Sequence, residues 1–216
     1  SEAVAVSGNV QALLDLMARN PLHREIYLQI IEFCEVRRLL GDVEAMVADC
    51  SGFSLTAQTP FRLIANVVDN GGIHWYEVDA QGDEITEERR ANLTDDEADD
   101  LVEGFALEAS DAGREVLERM APERRLRDLF DKAPGRLSTY LDIIDFCGEP
   151  QTFKAIEALV HQTDAGALIG ASGQPLQPSY FVDMLERSGG LVWDKGWKAT
   201  GKGSALAKQL RPALAV

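Results

Sequence analysis

The sequence predicts a mainly helical α+β protein built from two tandem copies of one domain, each closed by a small β-hairpin and a last helix. Three observations predict it. Tyr27-Leu28-Gln29-Ile30-Ile31-Glu32-Phe33-Cys34 returns as Tyr140-Leu141-Asp142-Ile143-Ile144-Asp145-Phe146-Cys147, with six of the eight positions identical. The offset of 113 holds without a gap from Leu13/Leu126 to Val47/Val160, and 13 of those 35 pairs are identical. Both copies then pass from helical periodicity to a Gly-Gly pair and a β-rich run.

The first helix pair carries Asp15-Leu16 and Asp128-Leu129, and Pro21 and Pro134 stand at the junction with the second helix. Proline there starts a helix or ends the preceding one. In the second helix Tyr27, Ile30, Ile31 and Cys34 form an i, i+3, i+4, i+7 stripe, repeated by Tyr140, Ile143, Ile144 and Cys147. The third helix carries Val43, Met46 and Val47, matched by Ile156, Leu159 and Val160. The offset then becomes 118, so the second copy holds 118 − 113 = 5 extra residues in a turn containing Gly166, Gly170, Gly173 and Pro175.

A fourth helix begins near Pro60 or Pro178. Its inward positions are Leu63, Ile64 and Val67, or Phe181, Val182 and Leu185. Gly71-Gly72 and Gly189-Gly190 stop it, since glycine takes the left-handed conformation at low cost. The β-rich runs Ile73–Val78 and Leu191–Trp193 follow. In the second copy Asp194-Lys195-Gly196 makes a tight turn, and Trp197-Lys198-Ala199 returns. Near each end the offset falls to 90, aligning Ala109–Gly113 with Ala199–Gly203 and Val116 with Leu206. The first copy therefore holds 118 − 90 = 28 extra residues between Tyr76 and Glu108. Thr94 and Glu97 predict a capping box for a short helix within them, reaching Leu101.

Charge is distributed unevenly within a net −15. Residues 79–108 hold twelve acids against two bases, net −10, whereas residues 187–216 hold six bases against one acid, net +5. Overall acidity argues against indiscriminate nucleic-acid binding and leaves room for a local basic contact near the C-terminal end. No run approaches the ~20 apolar residues of a membrane span. The start Ser1-Glu2-Ala3-Val4 has no basic region before an apolar run. With only three cysteines, of which Cys34 and Cys147 align on apolar helical faces, these features predict a cytoplasmic protein with buried, unpaired thiols.

Ser179 to Gly203, SYFVDMLERSGGLVWDKGWKATGKG, resembles the winged helix-turn-helix superfamily, and Thr59 to Trp75, TPFRLIANVVDNGGIHW, is its weaker echo. The resemblance covers most of the chain as two tandem copies, residues 1–121 with the acidic insertion and residues 122–216 with a basic wing. It implies DNA binding and transcriptional regulation, with the second helix of the helix-turn-helix in the major groove and the wing on the backbone.

The positions this implies are Arg62 and Asn66 in the first copy, suited to guanine and adenine edges. In the second they are Gln177, Ser179, Tyr180 and Arg187 on the helix, with Lys195, Trp197, Lys198 and Lys202 on and after the wing. Asp69 and Asp183 oppose DNA on the same helices. Trp75 and Trp193 are expected to cover the core beneath each wing, and Trp197 to be exposed. The alternative is a non-enzymatic protein–protein module that uses wing aromatics or the acidic insertion, as tandem winged-helix scaffolds do. Either form is a monomer or a homodimer.

Gly196–Gly203 approaches a phosphate-binding loop, but Gly203 stands where Mg²⁺ binding requires Ser or Thr. The acids near residues 95–100 lack the spacing of a calcium loop, and the three histidines are scattered. No catalytic, metal or cofactor site is therefore expected.

Overall fold

The aligned apolar stripes of both repeats lie mostly inside the protein, with Phe146 and Trp193 as exposed exceptions. In this computed structural model, which describes residues 8–163 and 168–214, the chain forms two compact units, Ser1–Arg119 and Met120–Val216. Each is mainly helical with a small antiparallel sheet. Among the described residues no helix is long and apolar enough to cross a membrane. The Ser1–Val4 start and Gly166 lie outside the described residues.

Unit 1 runs α1 (Gly8–Arg19), α2 (Pro21–Phe33), β1 (Arg38–Leu39), α3 (Leu40–Asp49), α4 (Pro60–Asp69), β2 (Ile73–Val78), α5 (Glu87–Arg90), α6 (Asp95–Asp100), β3 (Gly104–Ala109) and α7 (Asp111–Met120). Unit 2 runs α8 (Pro122–Lys132), α9 (Leu137–Phe146), α10 (Phe153–Val160), α11 (Pro178–Arg187), β4 (Leu191–Trp193), β5 (Trp197–Ala199) and α12 (Gly201–Leu210).

Buried pairs recur at the predicted offsets: Leu13/Leu126, Tyr27/Tyr140, Ile30/Ile143, Ile31/Ile144, Val43/Ile156, Leu63/Phe181, Ile73/Leu191 and Val116/Leu206. Burying such a side chain stabilises by roughly 1.5–3 kcal/mol, so the stripes dictate which helix faces turn inward. Cys34 and Cys147 are fully buried, and Cys50 nearly so; all three are free thiols.

The glycine pairs do two jobs. Gly71 (φ 79°) and Gly189 (φ 77°) end α4 and α11 in the left-handed conformation. The next residue lets another backbone approach: a Cβ on Gly113 would stand 2.2 Å from the Gly72 carbonyl oxygen, and one on Gly203 would stand 2.7 Å from that of Gly190. One hydrogen-bond set closes both units. Ala109 N donates to Cys34 O at 2.7 Å, Ser110 N to Gly72 O at 3.1 Å, and Ser110 Oγ to Gly71 O at 2.6 Å. Ala199 N donates to Cys147 O at 2.7 Å, Thr200 N to Gly190 O at 3.0 Å, and Thr200 Oγ1 to Gly189 O at 2.6 Å.

The sheets correct one expectation, that each unit has only a hairpin. In unit 1 the strand order is β1-β3-β2, with Arg38 opposite Leu107 and Trp75 also opposite Leu107 across the other ladder. In unit 2 a single bridge, Gln151 to Trp197, takes the place of β1, and β4 pairs β5 across the expected turn, with Trp193 opposite Trp197. A two-residue strand is too short to carry a periodicity. The insertion leaves the hairpin between β2 and β3. Its α6 begins with the expected capping box, Glu97 N donating to Thr94 Oγ1 and the Glu97 carboxylate accepting from Thr94 N.

Candidate nucleic-acid interface

In unit 2, α11 and the β4–β5 hairpin present most of the residues singled out by the sequence. Gln177 precedes the first turn of α11, and Ser179 is exposed one residue into it. Tyr180 is half-buried, its hydroxyl 3.5 Å from an Arg136 Nη and its ring 5.8 Å from that guanidinium. Arg187, in the last turn, pairs with Asp183 at 3.1 Å. Burial and then the Asp183 carboxylate push the Glu186 carboxyl up, and it is the acids Asp183 and Glu186 themselves that make the C-terminal half of α11 a poor neighbour for phosphate.

The hairpin is the stronger part. Lys195 sits exposed at its tip with φ 55°, in a turn closed by Asp194 N donating to Gly196 O at 2.8 Å. Lys198 lies on β5 opposite Val192. Lys202 is exposed in the first turn of α12, whose Thr200 cap accepts from Gly203 N at 3.0 Å. That helix end adds a partial positive charge to the same segment.

The two tryptophans exchange the places expected of them. Trp193 is 44% exposed, whereas Trp197 is half-buried against the core. The cause is the bridge to Gln151: Trp197 N donates to Gln151 O at 2.8 Å, and Trp197 O accepts from Gln151 N at 2.9 Å. That segment flanks Trp197 and leaves Trp193 at the open edge, their rings 5.4 Å apart and nearly perpendicular. Trp75 is half-buried, its ring 4.7 Å from that of Phe105 and tilted 40° to it.

In unit 1 the corresponding surface has a different chemistry. Arg62 is exposed. Asn66 is turned inward, its amide donating to Tyr27 Oη at 3.1 Å and Gln58 Oε1 at 3.2 Å, so it is not presented to a base edge. The exposed aromatic Phe61 stands beside Trp75.

The acidic insertion is folded onto β2 and β3. Arg37 bridges Glu84 at 2.7 Å and Glu108 at 3.0 Å with its guanidinium 3.9 Å from the Tyr76 ring centroid. Arg89 pairs with Asp79 at 2.9 Å, and Arg90 with Glu77. Backbone hydrogen bonds from Asp83 and Gln81, together with the Arg89 guanidinium, hold the Asp79 carboxyl below its ordinary range. Ile85 and Ala98 are buried within the insertion.

Sequence reasoning missed Arg136, Arg37 and Gln151, because each acts on a partner distant in sequence. Only Phe61 carried a local signal, an aromatic on the outward side of an amphipathic helix. Among the described residues no group of three His, Cys, Asp or Glu side chains is arranged to hold a metal ion. No family model, curated protein or solved structure matches this chain.

Proposed function

We propose that the chain is a cytoplasmic, non-enzymatic DNA-binding protein of two tandem winged-helix domains, with regulation of transcription as its role and the second domain as the DNA contact. The order helix, strand, helix, helix, strand, strand in unit 1, with β1 joining β3, supports the winged-helix reading, as does the shared hydrogen-bond set at Ser110 and Thr200. Duplication of one domain accounts for the repeat.

The observation that carries the DNA reading is the placement of Lys195, Lys198 and Lys202 on the hairpin and the start of α12 of unit 2. Unit 1 holds 25 acids and 9 bases, net −16, whereas unit 2 holds 11 acids and 12 bases, net +1. Only the second domain lacks a repulsive field toward phosphate. Fluorescence anisotropy on a mixed-sequence duplex, at low and at physiological salt, tests it. Micromolar or tighter binding with a steep salt slope supports the reading, and no binding at low salt overturns it.

A second reading is favoured by Phe61 and the ion-paired insertion: the first domain docks a protein. Replacing residues 79–103 by a short turn separates the two roles. A repulsive insertion raises DNA affinity when removed; an insertion that serves only a protein contact leaves it unchanged.

A further inference from the structure

Trp75 and Trp193 hold the same place in the two units, but their surroundings differ. They align at the offset of 118, and each lies opposite a partner on the return strand, Leu107 for Trp75 and Trp197 for Trp193. In unit 1 two rings flank the indole. That of Phe105 is 4.7 Å away, and that of Phe61, in the first turn of α4, is 6.2 Å away and nearly perpendicular. Phe61 aligns with Ser179, which is exposed in the first turn of α11. Phe105 stands two residues before the partner of Trp75, and Lys195 stands two residues before the partner of Trp193. Unit 2 thus carries a hydroxyl and an ammonium at the positions where unit 1 carries two aromatic rings.

Among the described residues Trp193 meets one aromatic ring, that of Trp197 at 5.4 Å, and it is left exposed. An uncovered indole beside an ammonium and a hydroxyl suits a ligand that brings a flat ring and a phosphate on one chain. A nucleotide brings both, and stacking on an aromatic side chain works with every base. Within a duplex the face of each base is taken by its neighbours, so an unpaired nucleotide is the form that can offer one. The preceding helix points the same way. Asp183 and Glu186 on α11 set like charge against a duplex laid along that helix, whereas a single strand need not follow it.

We propose that the hairpin of unit 2 binds an unpaired nucleotide of DNA. Its base stacks on Trp193 in a place that an aromatic side chain takes in unit 1, and its flanking phosphates meet Lys195 and Ser179. The proposal rests on the DNA reading of this domain and narrows it to a single-stranded segment beside a duplex. Lys195 is exposed at the hairpin tip, in a turn with φ 55°, two residues along the chain from the indole. Lys198, opposite Val192, lies on the other face of the hairpin, because side chains alternate along a strand, and it takes no part in the stack.

The test is fluorescence anisotropy of the full chain with two labelled duplexes of one sequence, blunt and carrying a short oligothymidine tail. The tailed duplex should bind about fivefold or more tightly than the blunt one, as one stacked base implies. Trp193→Ala should bring that ratio near one, and Trp193→Phe, which keeps a ring, should restore most of it. Ser179→Phe, which rebuilds the pairing of Phe61 with Trp75, should also bring the ratio near one without removing a ring from the hairpin. Indole emission should change as the tail binds, and most of that change should be lost in Trp193→Phe. Equal affinity for the two duplexes, or a preference for the tail that Trp193→Ala leaves intact, would overturn the inference while the DNA reading stood. No binding to either duplex would overturn both.

Discussion

Replacing Lys195, Lys198 and Lys202 together by alanine isolates the electrostatic part of the proposed DNA contact. Each phosphate neutralised on a duplex contributes about 0.9 to the slope of log affinity against log salt. Three lysines therefore account for a slope of about 2.7, and raising salt about fourfold costs about 40-fold in affinity through these three alone. Lys195 and Lys202 are exposed and Lys198 is half-buried on a two-stranded hairpin, so truncation removes charge without opening the core. The assay is anisotropy on one duplex across a salt series, with Lys132→Ala at the end of α8 as a control of equal charge change. The triple variant should lose both affinity and slope, each single variant about 0.9 of slope. A triple variant with the parent slope, or a control that loses as much per lysine, would refute the placement of the interface.

Three further outcomes follow from the fold. Gly113→Ala and Gly203→Ala each force a methyl against a carbonyl oxygen. Such overpacking costs about 1–3 kcal/mol, or about 4–8 °C in melting temperature per kcal/mol, and the closer approach makes Gly113→Ala the costlier; an unchanged calorimetric transition in either would contradict the geometry. Burial lowers the His23 pKa, while Nε2 lies 2.7 Å from Thr56 Oγ1. The unfolded chain then binds the proton first, so this stability is full above about pH 6.5 and declines as pH falls from there toward the lowered folded value. Denaturant midpoints of His23→Gln should fall less on acidification than those of the parent, and parallel curves would exclude His23. Burial pushes the Cys34 thiol up to about 12, and those of Cys50 and Cys147 up to about 11. An aromatic disulfide reagent at neutral pH should label none of them until denaturant is added; fast labelling of the native chain would mean the cores open.

The parts of the fold legible in the sequence were those set by local burial. The stripes at Tyr27–Cys34 and Tyr140–Cys147 repeat, so both helices and their inward faces could be named before any coordinates. Gly71-Gly72 and Gly189-Gly190 marked helix ends by their backbone freedom. What escaped depended on partners far along the chain. Arg38-Leu39 becomes a strand only because β3 lies beside it. Trp197 is covered because Gln151 pairs with it, and neither residue signals the other. Asn66 sits one turn from the exposed Arg62, where spacing gives it an outward place, yet the hydroxyl of buried Tyr27 needs a polar partner and draws it in.

The differences between the units bear on the proposed function more than any single residue does. Aligned core positions kept their burial, and the closing hydrogen bonds at Ser110 and Thr200 kept their geometry. Aligned surface positions differ in chemistry, and two of them reverse charge. Asp69 stands opposite Arg187 in the alignment, Glu108 opposite Lys198, Ala112 opposite Lys202 and Phe61 opposite Ser179. These changes fall on the helix, return strand and last helix start that form one candidate face in unit 2. In unit 1 Glu108 is held by Arg37, which also holds the insertion through Glu84, so its charge is built into the local fold. A shared frame does not dictate a shared ligand. Opposite charges at the same places favour different partners, as the proposed division between a phosphate-facing and a protein-facing domain requires.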